Sequence, residues 1–96
     1  MHRNPNIVVR TVKPANFLVD ITRCYNNSDE TLVEVDDMGL AVWRCIEGEM
    51  DRGGIVRAFL ALLTDEKTED FVAMVSRDVN EFLDLLVRQG CLVEDA

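Results

Sequence analysis

The chain has 96 residues, of which 48% are apolar and 29% charged, and it carries a formal net charge of -8. That length supports one domain with one modest core, and the apolar share excludes a disordered tail. The acidic balance argues against nucleic acid as a partner, because phosphates are neutralised by clustered Lys and Arg, and here the 10 cationic residues are scattered.

The expected organisation is a single domain over residues 1–96, with residues 1–6 frayed. The opening stretch "MHRNPNIVVRTVKP" holds only a short apolar run, unlike a signal segment. No stretch approaches the ~20 apolar residues that cross a bilayer. The expected location is the cytoplasm, with no membrane partner.

The first third has strand character. "IVVRTV" (7–12) is β-branched, and "KPAN" breaks it because Pro14 lacks an N–H and fixes its own φ. "FLVDI" (17–21) alternates Phe17, Val19 and Ile21 against Leu18 and Asp20. "YNNSDE" (25–30) is a turn by composition, and "TLVEV" (31–35) is a third strand. Three short consecutive strands most simply form an antiparallel meander.

The remainder has helical period. Asp36 or Asp37 caps a first helix, because a carboxylate accepts from the free N–H groups of the first turn. Met38, Val42, Cys45 and Ile46 share one face of it, and Gly48 suits the position just past its end. Asp51 caps a second helix over 52–63, in which Ile55, Phe59, Leu62 and Leu63 repeat at helical spacing. Gly53 and Gly54 weaken its first turn by ~1 kcal/mol each relative to Ala. After the polar connector "TDEKTED", Thr68 caps a third helix over 69–89, with Glu69 and Asp70 complementing its dipole. Phe71, Val72, Val75, Val79, Phe82, Leu83 and Leu86 cover roughly a third of its circumference and mark the core face. Gly90 ends it, and "CLV" (91–93) lies back as a short extended tail.

Catalytic chemistry finds no foothold. Cys24, Cys45 and Cys91 are far apart, no CxxC exists, and the single histidine, His2, stands at the N-terminus, so a four-ligand zinc site is excluded. Cys45 and Cys91 suit small core hydrophobes, and Cys24 falls in a polar loop or strand end. None has a neighbour that would lower a thiol pKa. Gly53-Gly54 lacks the Lys-Ser/Thr of a phosphate loop, and "DEKTED" lacks the glycine and spacing of a calcium loop. No cofactor, metal or catalytic residue is expected.

The ordered set Val35-Asp36, Val42-Trp43, Ile46, Gly48, Asp78-Val79, Phe82-Leu83, Leu86, Gly90 and Leu92 resembles the PqqD-like family, across residues 7 to 94. These are small peptide chaperones of pyrroloquinoline quinone biosynthesis. Their relatives are recognition elements for precursor peptides of ribosomally made, post-translationally modified natural products. The resemblance implies an α+β, winged-helix-like unit of three antiparallel strands followed by three helices. It also implies a non-catalytic adaptor that binds a precursor's leader as an added strand beside the third strand and third helix. The leader is then presented to a modifying enzyme, often a radical S-adenosylmethionine enzyme.

Strand addition needs a free edge of unpaired N–H and C=O groups. Thr31, Leu32, Val33, Glu34 and Val35 contain no proline and supply such an edge if they lie at the border of the sheet. On the third helix, Met74, Asp78 and Leu85, with Glu81 beside them, form a second stripe flanking the core face. Met and Leu offer apolar contact, and the two carboxylates attract Lys or Arg. The plainer meaning of that flank is a wide core face with a solvated acidic edge. Trp43 suits a core-edge aromatic better than a peptide contact, and Arg77 and Arg88 fall on the outer face. A second copy is a further candidate for the open strand. The alternative function is a winged-helix DNA-binding regulator, which the acidic third helix disfavours.

Overall fold

The computed structural model describes residues 1–22 and 32–94. Its elements are β1 (His2–Arg3), β2 (Ile7–Val12), β3 (Ala15–Asp20), β4 (Leu32–Val35), α1 (Asp37–Cys45), α2 (Arg52–Leu62), α3 (Glu69–Arg88) and β5 (Leu92–Val93). β2, β3 and β4 form one antiparallel sheet in that order. The architecture is thus α+β, with the expected meander followed by three helices. The extended tail expected over 91–93 holds β5, which pairs with β1, a short strand unforeseen in the sequence.

Lys13 and Pro14 alone separate β2 from β3, and the register closes as Val12 opposite Ala15. The second strand of the sheet therefore starts two residues earlier than its apolar pattern suggested. The structure also decides which of its two faces is buried. Leu18 is buried together with Asn16 and Asp20, whereas Phe17 and Val19 are half-buried and Ile21 is exposed. Leu18 faces Val33 across the sheet, and Asn16 faces Val35, so the core face of β3 is set by its partner. Burying polar groups costs free energy unless they are hydrogen-bonded. Here Thr11 Oγ1 donates to Asn16 Oδ1 at 3.0 Å, and Asn16 Nδ2 donates to Asp37 Oδ1 at 3.2 Å. Asp20 Oδ1 accepts from Thr22 N at 2.9 Å and from Thr22 Oγ1 at 2.6 Å.

The helix starts follow their capping chemistry. Asp36, not Asp37, caps α1, accepting from Gly39 N at 2.7 Å. Asp51 accepts from Gly54 N at 2.6 Å, and Thr68 Oγ1 from Phe71 N at 3.1 Å. The end of α1 departs from expectation: the helix stops at Cys45, with Ile46 already extended, and Gly48 lies in the following turn. In α3, Gly90 adopts a φ of 78°, which lets Gly90 N donate to Val87 O at 3.1 Å and Cys91 N to Leu86 O at 2.8 Å. These are the two bonds of a Schellman ending, and they turn Cys91 and Leu92 into the core.

One apolar cluster joins Leu18, Val33 and Val35 of the sheet to Val75, Val79, Leu83 and Leu86 of α3, with Ile55 and Phe59 of α2 and Val42 and Trp43 of α1. Burial on α1 falls on Leu40, Val42 and Trp43, while Met38 is exposed. Leu62 on α2 is exposed as well.

Residues 1–6, expected to fray, are instead held. Met1 is buried, and its ammonium donates to Glu49 Oε1 and Met50 O, both at 2.6 Å. The Arg3 guanidinium lies 5.6 Å from the centroid of the Trp43 ring. Arg52 links α2 to α3 and the tail, 2.7 Å from Asp84 Oδ1 and 3.2 Å from Glu94 Oε1.

Two substitutions test this account in urea denaturation. Leu83→Ala empties a fully buried position and is expected to cost about 3 kcal/mol. Gly90→Ala forces a side chain into a left-handed conformation and is expected to cost about 1 kcal/mol.

Candidate functional site

β4 has β3 on one side only, and among the described residues no strand lies on the other. Its four residues alternate: Leu32 and Glu34 are exposed, Val33 and Val35 are buried. Of the five strand residues proposed from the sequence, then, Leu32 and Glu34 present side chains outward. Val33 and Val35 turn their side chains to the core. Thr31 lies outside the described residues, as does Cys24.

At the far end of β4 the chain enters α1, and an apolar cavity of about 420 Å³ opens there. Asp36 and Gly39 form one wall, Phe59 and Leu63 of α2 another, and Phe71, Met74, Asp78 and Phe82 of α3 a third. The structure thus brings Met74 and Asp78 together at one site. Glu81 and Leu85 do not line the cavity; they continue the same flank of α3, Glu81 exposed and Leu85 half-buried.

Gly39 makes the junction close. A β-carbon placed on it would stand 3.1 Å from Phe82 Cζ and 3.2 Å from Val35 Cβ. The Phe82 ring therefore lies over the start of α1, beside the last residue of β4. Asp65, from the α2–α3 connector, completes the acidic rim with Asp36 and Asp78.

Sequence reasoning placed Phe71, Val72 and Phe82 in the core. They are only half-buried, while Val75, Val79, Leu83 and Leu86 are fully covered. The contributions of Phe59, Leu63 and Asp65 had no local signal, because they arrive through tertiary packing.

Cys45 and Cys91 do not line this site. Burial first, and then the nearby charge of Glu47, pushes the Cys45 thiol up. Burial, with a smaller contribution from Asp20, pushes Cys91 up to about 11. No group of His, Cys, Asp and Glu among the described residues is arranged to hold a metal ion, and no helix among them is long and apolar enough to cross a membrane.

The fold is shared with a solved protein. The structure of TbiB1 in complex with the TbiA(beta) leader peptide matches with a TM-score of 0.68 and 21% identity, covering 100% of this chain and 99% of that one. The family described as coenzyme PQQ synthesis protein D (PqqD) matches residues 18–92, and this chain belongs to that family. No curated protein matches the sequence.

The thiol assignments are checked by alkylation and peptide mapping. At pH 8 the folded protein is expected to leave Cys91 unmodified and to label Cys45 slowly, both reacting once urea unfolds the chain. Cys91 has its pKa raised from the ordinary value of 9.0, so the folded state holds the proton more tightly. The stability this contributes is complete below about pH 9 and is lost as pH rises toward about 11.

Proposed function

We propose that this protein is a non-catalytic adaptor that captures the leader of a ribosomally made precursor peptide and presents it to a modifying enzyme. The leader adds as a strand to the outer edge of β4, against the flank of α3 that carries Met74, Asp78, Glu81 and Leu85. The observation that carries this reading is the single-sided pairing of β4 beside α3. Membership of the PqqD family and the likeness to a protein solved with a leader peptide support it.

The mechanism is physical, with no chemical step on this chain. Main-chain hydrogen bonds hold the guest strand, each contributing a net ~0.5–1.5 kcal/mol. Ordering the peptide offsets part of that gain, so apolar contacts must supply the remainder. A leader held this way raises the effective concentration of its core segment at the enzyme, and the encounter becomes nearly intramolecular. A radical S-adenosylmethionine enzyme is the partner class we favour, acting on the core while the adaptor grips the leader. A second copy pairing through β4 would occupy the same edge, so dimer formation and leader binding exclude each other.

DNA binding fits this surface poorly. Arg77 and Arg88 are exposed on α3 among the equally exposed Glu69, Asp70, Asp78, Glu81 and Asp84, and that balance repels phosphate.

Calorimetric titration with the leader of the precursor encoded beside this gene is expected to show saturable binding. Main-chain N-methylation of that peptide is expected to weaken binding about tenfold at every second residue and little in between, because donors along a strand alternate in direction. A flat titration against folded protein would remove the proposal, and an N-methyl pattern without period two would remove strand addition.

A further inference from the structure

We propose that the outward face of the three-stranded sheet is a dimer interface, on which a second copy of this chain docks face to face. This face is distinct from the border of β4 and from the cavity beside it.

The core draws on Leu18, Val33 and Val35 from one face of the sheet. Side chains along a strand alternate between faces, so Val8, Phe17, Val19 and Leu32 stand on the other. None of these four belongs to the core cluster. Val8, Phe17 and Val19 are nevertheless half-buried, and Leu32 is 56% exposed. The register joins them into one patch. Val8 lies opposite Val19 and Val19 opposite Leu32, and Phe17 lies in the adjoining outward row. A contiguous apolar patch of this kind marks an interaction surface.

The charges on this face identify the partner. Arg10 of β2 lies opposite Phe17 on one side, and Glu34 of β4 lies opposite it on the other. Each charge is thus one strand spacing, about 4.8 Å, from the central ring position. Both residues are exposed, and neither has an ion-pair partner among the described residues. A half-turn about an axis running along β3 at Phe17 exchanges the two sides of the face. It sets Arg10 of one protomer over Glu34 of its partner, twice, and Phe17 over Phe17. The next row matches as well, with Val8 over Leu32 and Val19 over Val19. A two-fold interface needs this self-complementarity, and a different partner would not. Sheets stack about 10 Å apart with strands aligned within about 30°, a distance that facing side chains bridge. The chain's net charge of -8 does not oppose the contact, because Arg10 and Glu34 cancel on the face itself and more distant charges are screened.

In such a sandwich the two β4 borders fall on opposite sides and both stay unpaired. This dimer, unlike one formed through the β4 edge, leaves each protomer able to take a guest strand.

The experiment is sedimentation velocity over a concentration series on the wild type, Arg10→Glu, Glu34→Arg, and an equal mixture of the two variants. Both positions are exposed, and circular dichroism confirms that each protein is folded. The wild type is expected to dimerise. Each charge reversal puts like charges in both contacts and is expected to raise the dimer dissociation constant about tenfold. The mixture is expected to recover the wild-type affinity, because the heterodimer pairs opposite charges at both contacts. A wild type that stays monomeric throughout overturns the proposal. So does a dimer indifferent to both reversals, as pairing through the β4 edge alone would give, or a mixture that dimerises no better than its components.

Discussion

The burial of one stripe of α3 governs the rest of the molecule. Val75, Val79, Leu83 and Leu86 share a core with Leu18 of β3 and Val33 and Val35 of β4. Each such side chain contributes about 1.5–3 kcal/mol on burial. This fastens β4 by its face, so that the strand needs a partner on only one edge. A strand pinned by its core face and paired once presents ordered main-chain donors and acceptors without a second neighbour. Exposed edges invite unwanted pairing, and this one is blunted by the outward Glu34.

Asp36 couples that strand to the cavity beside it. It ends β4, caps α1 through Gly39 N, and stands in the cavity wall. The missing side chain at Gly39 lets Phe82 approach, which draws α3 against the strand–helix junction. Asn16 reinforces the same corner by bonding Asp37 from the central strand. The corner is built from a cap, a small residue and a buried amide, and each lends order to the edge next to it.

The opposite chain ends are secured by different means. β1 pairs with β5, the N-terminal ammonium meets Glu49, and Arg52 gathers Asn80, Asp84 and Glu94. Most of these contacts involve exposed groups, for which ion pairing contributes about 0–1 kcal/mol. Their effect is to set the course of the chain more than to stabilise it, and the buried Met1, Cys91 and Leu92 add the apolar part.

What the sequence by itself determined was local: three helices, the caps at Asp51 and Thr68 and a first cap at Asp36 or Asp37, the ending at Gly90, and strands broken at Pro14. Those features depend on side chains within a few residues of one another, and periodicity with capping chemistry reveals them. The outward flank of Met74 and Asp78 was legible for the same reason. Only the tertiary structure decided which face of β3 is buried, since Asn16 and Asp20 enter the core by bonding Thr11, Asp37 and Thr22. It alone ordered the first residues through Met1 and Glu49, 48 positions apart. It alone left β4 at the border of the sheet, and it carried Phe59, Leu63 and Asp65 to the cavity. Pairing order and cavities arise when distant segments compete for the same space, and no local pattern records the outcome of that competition.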